Sequence, residues 1–270
     1  MMTTLILIPL CVMGVLGLVM AVGLGLAAKK LAVETDPRIE LLTEIMPGAN
    51  CGACGFAGCS AYAKAIVEGG KEPVPCPVGG DETAKKMADI LGIEPPVVPK
   101  TTAKIFCCGD ISEKRQKGNY EGVKTCASAT LVAGGTIMCS YGCLGFGDCV
   151  RVCQFGAMKE RPNLPPEIDE EKCTSCGLCV KACPRNLIKI IPKSAEYVVA
   201  CSSLDRGKYV KRVCDTGCTG CKLCVKKCPN KAITVENNLA IINYELCKNA
   251  GECYKACPQG CIIWKNAQKS

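Results

Sequence analysis

Residues 173–184 read Cys173-Thr-Ser-Cys176-Gly-Leu-Cys179-Val-Lys-Ala-Cys183-Pro184, and residues 218–229 read Cys218-Thr-Gly-Cys221-Lys-Leu-Cys224-Val-Lys-Lys-Cys228-Pro229. Each stretch packs three cysteines into seven residues, so one tight loop can bring three sulfurs to a common point. The fourth cysteine precedes a proline that redirects the chain, which suits it to serve a different point. A cubane iron-sulfur cluster needs four converging thiolates. In two-cluster ferredoxins the last cysteine of each motif ligates the cluster of the other motif.

Working outward from these stretches, the chain repeats itself. Cys139-Ser-Tyr-Gly-Cys143-x5-Cys149-x3-Cys153 matches Cys214-Asp-Thr-Gly-Cys218-x5-Cys224-x3-Cys228, and Cys173 to Cys183 corresponds to Cys247-x5-Cys253-x3-Cys257-Pro258. Upstream, Lys104-Ile-Phe-Cys107 pairs with Tyr197-Val-Val-Ala-Cys201, and the first unit has a longer insertion that contains Cys126. Each unit is a two-motif module. The short apolar runs Leu187–Ile191 and Leu239–Ile242 suit small hairpins wrapped around the clusters.

Crossed ligation assigns most cysteines. Cys153, Cys173, Cys176 and Cys179 make one set, and Cys218, Cys221, Cys224 and Cys257 another. Cys143, Cys149 and Cys183 make a third set whose central position is Phe146, and Cys139, the nearest candidate, is expected to complete it. Cys228, Cys247 and Cys253 make a fourth whose central position is Ala250. That site either recruits Cys261, binds a three-iron cluster, or leaves one iron open to solvent. Further upstream, Gly48-Ala-Asn-Cys51-Gly-Ala-Cys54-Gly-Phe-Ala-Gly-Cys59 is followed by Cys76-Pro77. Small residues between these ligands let the backbone close over a cluster and donate N–H groups to sulfur. The expected cofactors are therefore five 4Fe-4S clusters. Cys107, Cys108, Cys126, Cys201 and Cys214 are left over, enough for a sixth if the upstream segments of the two units meet, or else buried structural thiols.

Composition weighs the alternatives. The chain has 270 residues, 26 of them cysteine, with 4% aromatic residues and no histidine. An ordinary apolar core would be thin. A disulfide scaffold distributes cysteines in pairs across a fold, whereas these are dense. Structural zinc takes two separated C-x2-C pairs, often with histidine, and fits poorly.

The uncharged stretch Leu5–Ala28 is long enough to cross about 30 Å of hydrocarbon. With no basic residue ahead of it, it reads as an anchor and not as a cleaved signal. Gly17, Ala21 and Gly25 are spaced to let another membrane helix approach. Lys29 and Lys30 follow, which places the remainder on the cytoplasmic side of a single-pass cell-membrane protein, where thiols stay reduced. Residues 1–100 carry a net charge of −2 and residues 101–270 a net charge of +10. No aromatic-interleaved basic stripe accompanies the excess, so it is read as offsetting anionic clusters and steering an acidic protein partner, with no nucleic acid involved.

The fold class expected is α+β. It comprises a transmembrane anchor (1–30), a small helical 4Fe-4S module (31–93), a Pro-rich linker (94–103) and two tandem bacterial-ferredoxin-like two-cluster modules (104–193 and 194–270). Helices are expected over Glu34–Met46, Ser60–Glu68 and Asp81–Leu91. There is no Gly-x-Gly-x-x-Gly after a strand and no Walker loop, so neither an NAD nor a flavin site is expected in this chain, and no residue is assigned a catalytic role.

The anchor, the Cys51-Gly-Ala-Cys54-Gly-Phe-Ala-Gly-Cys59…Cys76 module and the ferredoxin motifs together resemble the B subunit of the Rnf complex, the ion-translocating ferredoxin:NAD oxidoreductase. The segment Cys139-Ser-Tyr-Gly-Cys143-Leu-Gly-Phe-Gly-Asp-Cys149 is similar to the cluster-rich versions found in anaerobes. The resemblance implies other membrane subunits as partners, soluble ferredoxin as electron donor, and a flavin- and NAD-binding subunit as acceptor, with Na+ or H+ exported. It also admits a reductase role that keeps a redox-sensing regulator reduced.

Overall fold

The computed structural model describes residues 2–30, 36–70, 72–110 and 115–265. Helix α1 runs Met2–Lys30, and Lys29 and Lys30 in its last turn meet the negative end of the helix dipole. Within it side chains are described for residues 12–27, 29 and 30, so those of residues 5–11 and 28 of the expected Leu5–Ala28 anchor lie outside the described ones. Among the described residues, no helix is long and apolar enough to cross a membrane. Within the described stretch Val12, Met13, Leu16, Leu18, Val19 and Leu24 are exposed.

The helical module follows as α2 (Pro37–Ile45), α3 (Cys59–Val67) and α4 (Gly80–Leu91). Helix α2 begins three residues later than the sequence suggested. Asp36 caps it by accepting the N–H of Arg38, and Pro37 at the first helical position needs no N–H partner. Gly92, in the left-handed conformation at φ 66°, closes α4. Leu42, Tyr62, Ala63 and Met87 are fully buried between the three helices. Phe56 packs edge-on against Tyr62 with ring centroids 5.2 Å apart, and Tyr62 Oη donates to the Val74 carbonyl at 3.0 Å. Each of the large buried side chains contributes roughly 1.5–3 kcal/mol relative to exposure, which offsets the module's small size.

The described strands of the remainder form four two-stranded antiparallel sheets, two per unit. In the first unit β1 (Thr101–Ile105) pairs with β4 (Ile188–Pro192), and β2 (Met158–Arg161) forms a hairpin with β3 (Leu164–Ile168). In the second unit β5 (Tyr197–Val199) pairs with β8 (Ile262–Trp264), and β6 (Ile233–Glu236) forms a hairpin with β7 (Leu239–Ile242). Each unit is thus an inter-motif hairpin plus a strand pair joining its first and last segments. Asn237 and Asn238 turn the second hairpin with φ of 46° and 66°, the conformation a tight two-residue turn demands.

Two expectations change. The segment Leu187–Ile191 does not fold back on its neighbour; its residues 188–191 pair with β1, more than 80 positions upstream. That strand also takes Thr101, Thr102 and Ala103 from the expected linker.

The two units pack together. The Cys108 N–H donates to the Ala200 carbonyl at 3.0 Å, and Ser202 Oγ donates to the Phe106 carbonyl at 2.9 Å. Ile191, Ala195 and Val198 share a buried cluster with Phe106 and Ile263. Glu170 of the first unit pairs with Lys104 Nζ at 2.6 Å and with Lys265 Nζ from the end of the second.

Candidate iron-sulfur centres

All 25 cysteines from Cys51 to Cys261 are free thiols. The two units present theirs on one local scaffold used four times. The short helices α6 (Asp148–Arg151), α7 (Leu178–Ala182), α9 (Leu223–Lys227) and α10 (Glu252–Lys255) carry Cys149, Cys179, Cys224 and Cys253 in their first turn. Each helix follows a residue in left-handed conformation: Gly147, Gly177, Lys222 and Gly251. Such a residue turns the loop sharply, and only Lys222 incurs the cost a Cβ brings there. After the fourth cysteine of each motif comes another left-handed residue three positions on: Gly156, Asn186, Lys231 and Gly260. At two of these turns the next N–H points back at the sulfur, Leu187 to Cys183 and Ala232 to Cys228, both at 3.4 Å.

Five cysteine-walled cavities lie among the described residues, each with about 330–410 Å³ of free space counting the solvent at its mouth. In the helical module the wall carries Cys51, Cys54, Cys59 and Cys76. Asn50 Oδ1 accepts the Cys59 N–H at 2.8 Å and ties the loop to the start of α3, while Gly79 N–H donates to Cys76 Sγ at 3.4 Å. In the first unit one wall carries Cys153, Cys173, Cys176 and Cys179, and Ala103 N–H donates to Cys173 Sγ at 3.4 Å. In the second unit Cys218, Cys221, Cys224 and Cys257 share a wall. The structure therefore brings together these three expected sets, crossed fourth ligands included.

The other cavity of the first unit departs from expectation. Cys143, Cys149 and Cys183 line it, and the fourth cysteine in the wall is Cys126, not Cys139. Cys126 opens α5 (Cys126–Leu131) within the insertion, where Thr125 caps the helix. The Asp148 carboxylate, beside Cys149, accepts the N–H groups of Cys126 at 2.9 Å and Ala127 at 3.0 Å. The residue that introduces one cysteine thus anchors the helix bearing the other. Phe146, in the missing central position, packs against Tyr120 with ring centroids 5.8 Å apart. Cys139 is not in this wall; its Sγ lies 3.6 Å from the Cβ position of Gly142, and the adjoining Cys143 N–H donates to Cys107 Sγ at 3.5 Å.

The fifth cavity is lined by Cys228, Cys247 and Cys253, with Ala250 where a fourth sulfur would stand. Cys261 is not in this wall. It lies in the neighbouring one, its Sγ 3.5 Å from Cys257 Sγ. Cys261 is buried beside Cys218 and Cys257, and one proton shared by hydrogen bonding among the three sulfurs is held at Cys261 while the Cys218 and Cys257 thiols are drawn down.

The donor sets fit iron-sulfur clusters. Burial, with neighbouring thiolates adding to it, pushes Cys149 up to about 12 and Cys179 and Cys224 up to about 11. Several thiolates in one apolar cavity are unfavourable without a multivalent cation, which deprotonates coordinating thiols outright. Ile105, Leu144, Leu187 and Ile188 in one wall, and Met158, Ile168 and Leu178 in another, exclude water. Among the described residues, no group of three Cys, Asp or Glu side chains is placed to hold a single metal ion. The sulfurs surround cavities and do not close on one point.

Fold and cavities define an iron-sulfur protein of the ferredoxin type with several centres in one chain. An Fe-S cluster family model matches residues 46–78, a 4Fe-4S binding domain residues 166–189, and a 4Fe-4S dicluster domain residues 217–262. The chain is 44% identical over 95% of its length to the B subunit of the Na(+)-translocating ferredoxin:NAD(+) oxidoreductase complex of Acetobacterium woodii, covering 77% of that protein. It is 41% identical over 97% of its length to the B subunit of the proton-translocating ferredoxin:NAD(+) oxidoreductase complex of Clostridium ljungdahlii, covering 93% of it. The B subunit of the ion-translocating oxidoreductase complex of Methanosarcina acetivorans is 41% identical over 97% of this chain and is 99% covered. The chain belongs to this family, the B subunits of Rnf-type complexes.

Proposed function

We propose that this chain is the iron-sulfur relay of a membrane-bound complex that oxidises reduced soluble ferredoxin, passes the electrons to flavin- and NAD-binding partner subunits, and couples the reaction to Na+ or H+ translocation. The observation that carries this reading is the set of five apolar, cysteine-walled cavities in a member of this family. Bound clusters supply one-electron redox chemistry with little nuclear movement, which lets the electron pair of a nicotinamide or flavin be handled singly.

The chain's own residues hold, shield and present these groups. Cys51, Cys54, Cys59 and Cys76 hold the first, and Cys153, Cys173, Cys176 and Cys179 the second. Cys126, Cys143, Cys149 and Cys183 hold the third, and Cys218, Cys221, Cys224 and Cys257 the fourth. Cys228, Cys247 and Cys253 hold a fifth that is three-iron or has one iron open. Helix α1 anchors the chain, with the cluster modules on the cytoplasmic face. Cys221 is exposed, and Lys222, Lys226 and Lys227 on its loop and helix, with Lys211 and Arg212 on α8 (Gly207–Val213), give that part of the chain a basic character. This supports docking of an acidic electron donor there.

Purification of the tagged full-length chain from anaerobic native membranes tests the reading. Flavin-bearing membrane subunits and ferredoxin-dependent NAD reduction are expected to accompany it. An iron-rich preparation that carries no flavin subunit and no such activity would overturn the assignment.

A further inference from the structure

Five cysteines, Cys107, Cys108, Cys139, Cys201 and Cys214, line none of the five cavities, yet the fold gathers them at one place. The segments 106–108 and 200–202 are bonded side by side where the two units meet. A Cβ on Gly109 would stand 3.4 Å from Cys214 Sγ and 3.9 Å from Cys107 Sγ, so those two sulfurs are at most 7.3 Å apart. Cys108 Sγ lies 3.8 Å from the Thr216 carbonyl oxygen, and Cys214 Sγ lies 3.8 Å from Thr216 Oγ1. A Cβ on Gly142 would stand 3.6 Å from Cys139 Sγ, and the next N–H along the chain, that of Cys143, donates to Cys107 Sγ.

We propose that Cys107, Cys108, Cys139 and Cys214 form a sixth iron-sulfur cluster site at the junction of the two units. This rests on the relay reading above.

Three features favour a cluster over plain thiols. The Cys143 N–H donates to Cys107 Sγ at 3.5 Å, the same kind of backbone donation seen at Cys76, Cys173, Cys183 and Cys228. A cluster core of charge +2 held by four thiolates carries two net negative charges, and two guanidiniums approach the site. Arg115 Nη1 lies 2.8 Å from the Cβ position of Gly109, and Arg185 Nη1 donates to the carbonyls of Cys139 at 3.0 Å and Gly142 at 2.7 Å. Arg115 is nearly buried although its partner Asp215 is exposed. Finally, the junction adjoins a cavity on either side. Cys107 touches the backbone of Cys143, which lines one, and Cys201 Sγ accepts the N–H of Cys218, which lines another, at 3.3 Å. A cluster there would join the two modules into one path. Cys201 Sγ takes its N–H groups from Cys218 and Ser203 of the second unit, away from the 139–143 loop, and Cys107, Cys108, Cys139 and Cys214 already fill the four ligand positions.

The test is iron and zinc content of the full-length chain purified anaerobically with its complex. The wild type should carry about 23–24 iron atoms. The C108A/C214A double variant should lose about four, and C201A none. Native mass spectrometry of the wild type gives an independent count that does not depend on any variant folding. Six clusters are expected. Five clusters, full iron in C108A/C214A, or one zinc per chain that disappears in that variant would each overturn the sixth site. None of these would disturb the other five, whereas a wild type without iron would strike the relay reading itself.

Discussion

Cys261 sits with its Sγ 3.5 Å from Cys257 Sγ, inside the wall of the Cys218, Cys221, Cys224 and Cys257 cavity, as a fifth sulfur. Cys218, Cys221, Cys224 and Cys257 already supply four sulfurs to that wall, which leaves Cys261 placed to give its S–H to a ligand sulfur. A hydrogen bond to sulfur stabilises the more negative, reduced cluster and raises its potential. A net contribution of about 0.5–1.5 kcal/mol per hydrogen bond converts to roughly 20–65 mV for a one-electron couple. A thiol is a weak donor, which favours the lower half of that range. Cys261→Ala should therefore lower the midpoint potential of this one centre by about 20–40 mV. Cys261→Ser, which keeps a donor, should shift it less. EPR-monitored redox titration of the anaerobic chain reads both. An unchanged midpoint in the alanine variant would refute the hydrogen-bond role, and loss of about four iron atoms would show that Cys261 is a ligand after all.

Four further outcomes follow from the geometry. Cys126→Ala should remove the third centre, whereas Cys139→Ala should leave that centre in place and cost only the sixth; each variant loses about four iron atoms, and the EPR signals that remain tell which centre has gone. Ala250→Cys should give the fifth cavity its missing sulfur, abolish any three-iron EPR signal, and raise iron by about one atom per chain where the wild-type centre is three-iron. Glu170→Gln should destabilise the contact between the units by about 2–3 kcal/mol, below the range for a fully buried pair because Lys265 is partly exposed. Burial alone would raise the Glu170 carboxyl, but Lys104 and Lys265 outweigh it and hold it below its ordinary value of 4.5. Its contribution is thus complete above pH 4.5 and lost as pH falls through the lowered value, which acid unfolding of wild type against E170Q measures. Reduction by an acidic ferredoxin should slow as salt rises, and K226E/K227E should flatten that dependence.

The difference between what the sequence disclosed and what it hid lies in how far apart the partners are. Cys173 to Cys179 and Cys218 to Cys224 are local loops, and the crossed ligands Cys153 and Cys257 follow from the two-motif rule, so three cavities were legible from spacing. Cys126 was not, because it comes from an insertion 22 positions ahead of Asp148, the residue that fixes it. A clue was nonetheless present. Cys139 has a twin, Cys214, in a unit whose motif is complete, so a substitute for the sulfur missing at Phe146 should have no twin, and Cys126 has none. Thr101 to Ala103 looked like linker because a strand that pairs across more than 80 residues leaves no local mark beyond β-branched side chains. Cys261 was drawn toward Ala250 by the need for a ligand there, but β8 begins immediately after it and carries it to the other cavity.

The central claim is that these cysteines hold iron-sulfur clusters. Parallel quantification of iron, acid-labile sulfide and zinc in the anaerobically purified native chain tests it most directly. Iron and sulfide in nearly equal amounts, at about 19 atoms or more of each per chain, are predicted from five centres. A colourless preparation without sulfide, its cysteines occupied by zinc or metal-free, would contradict it.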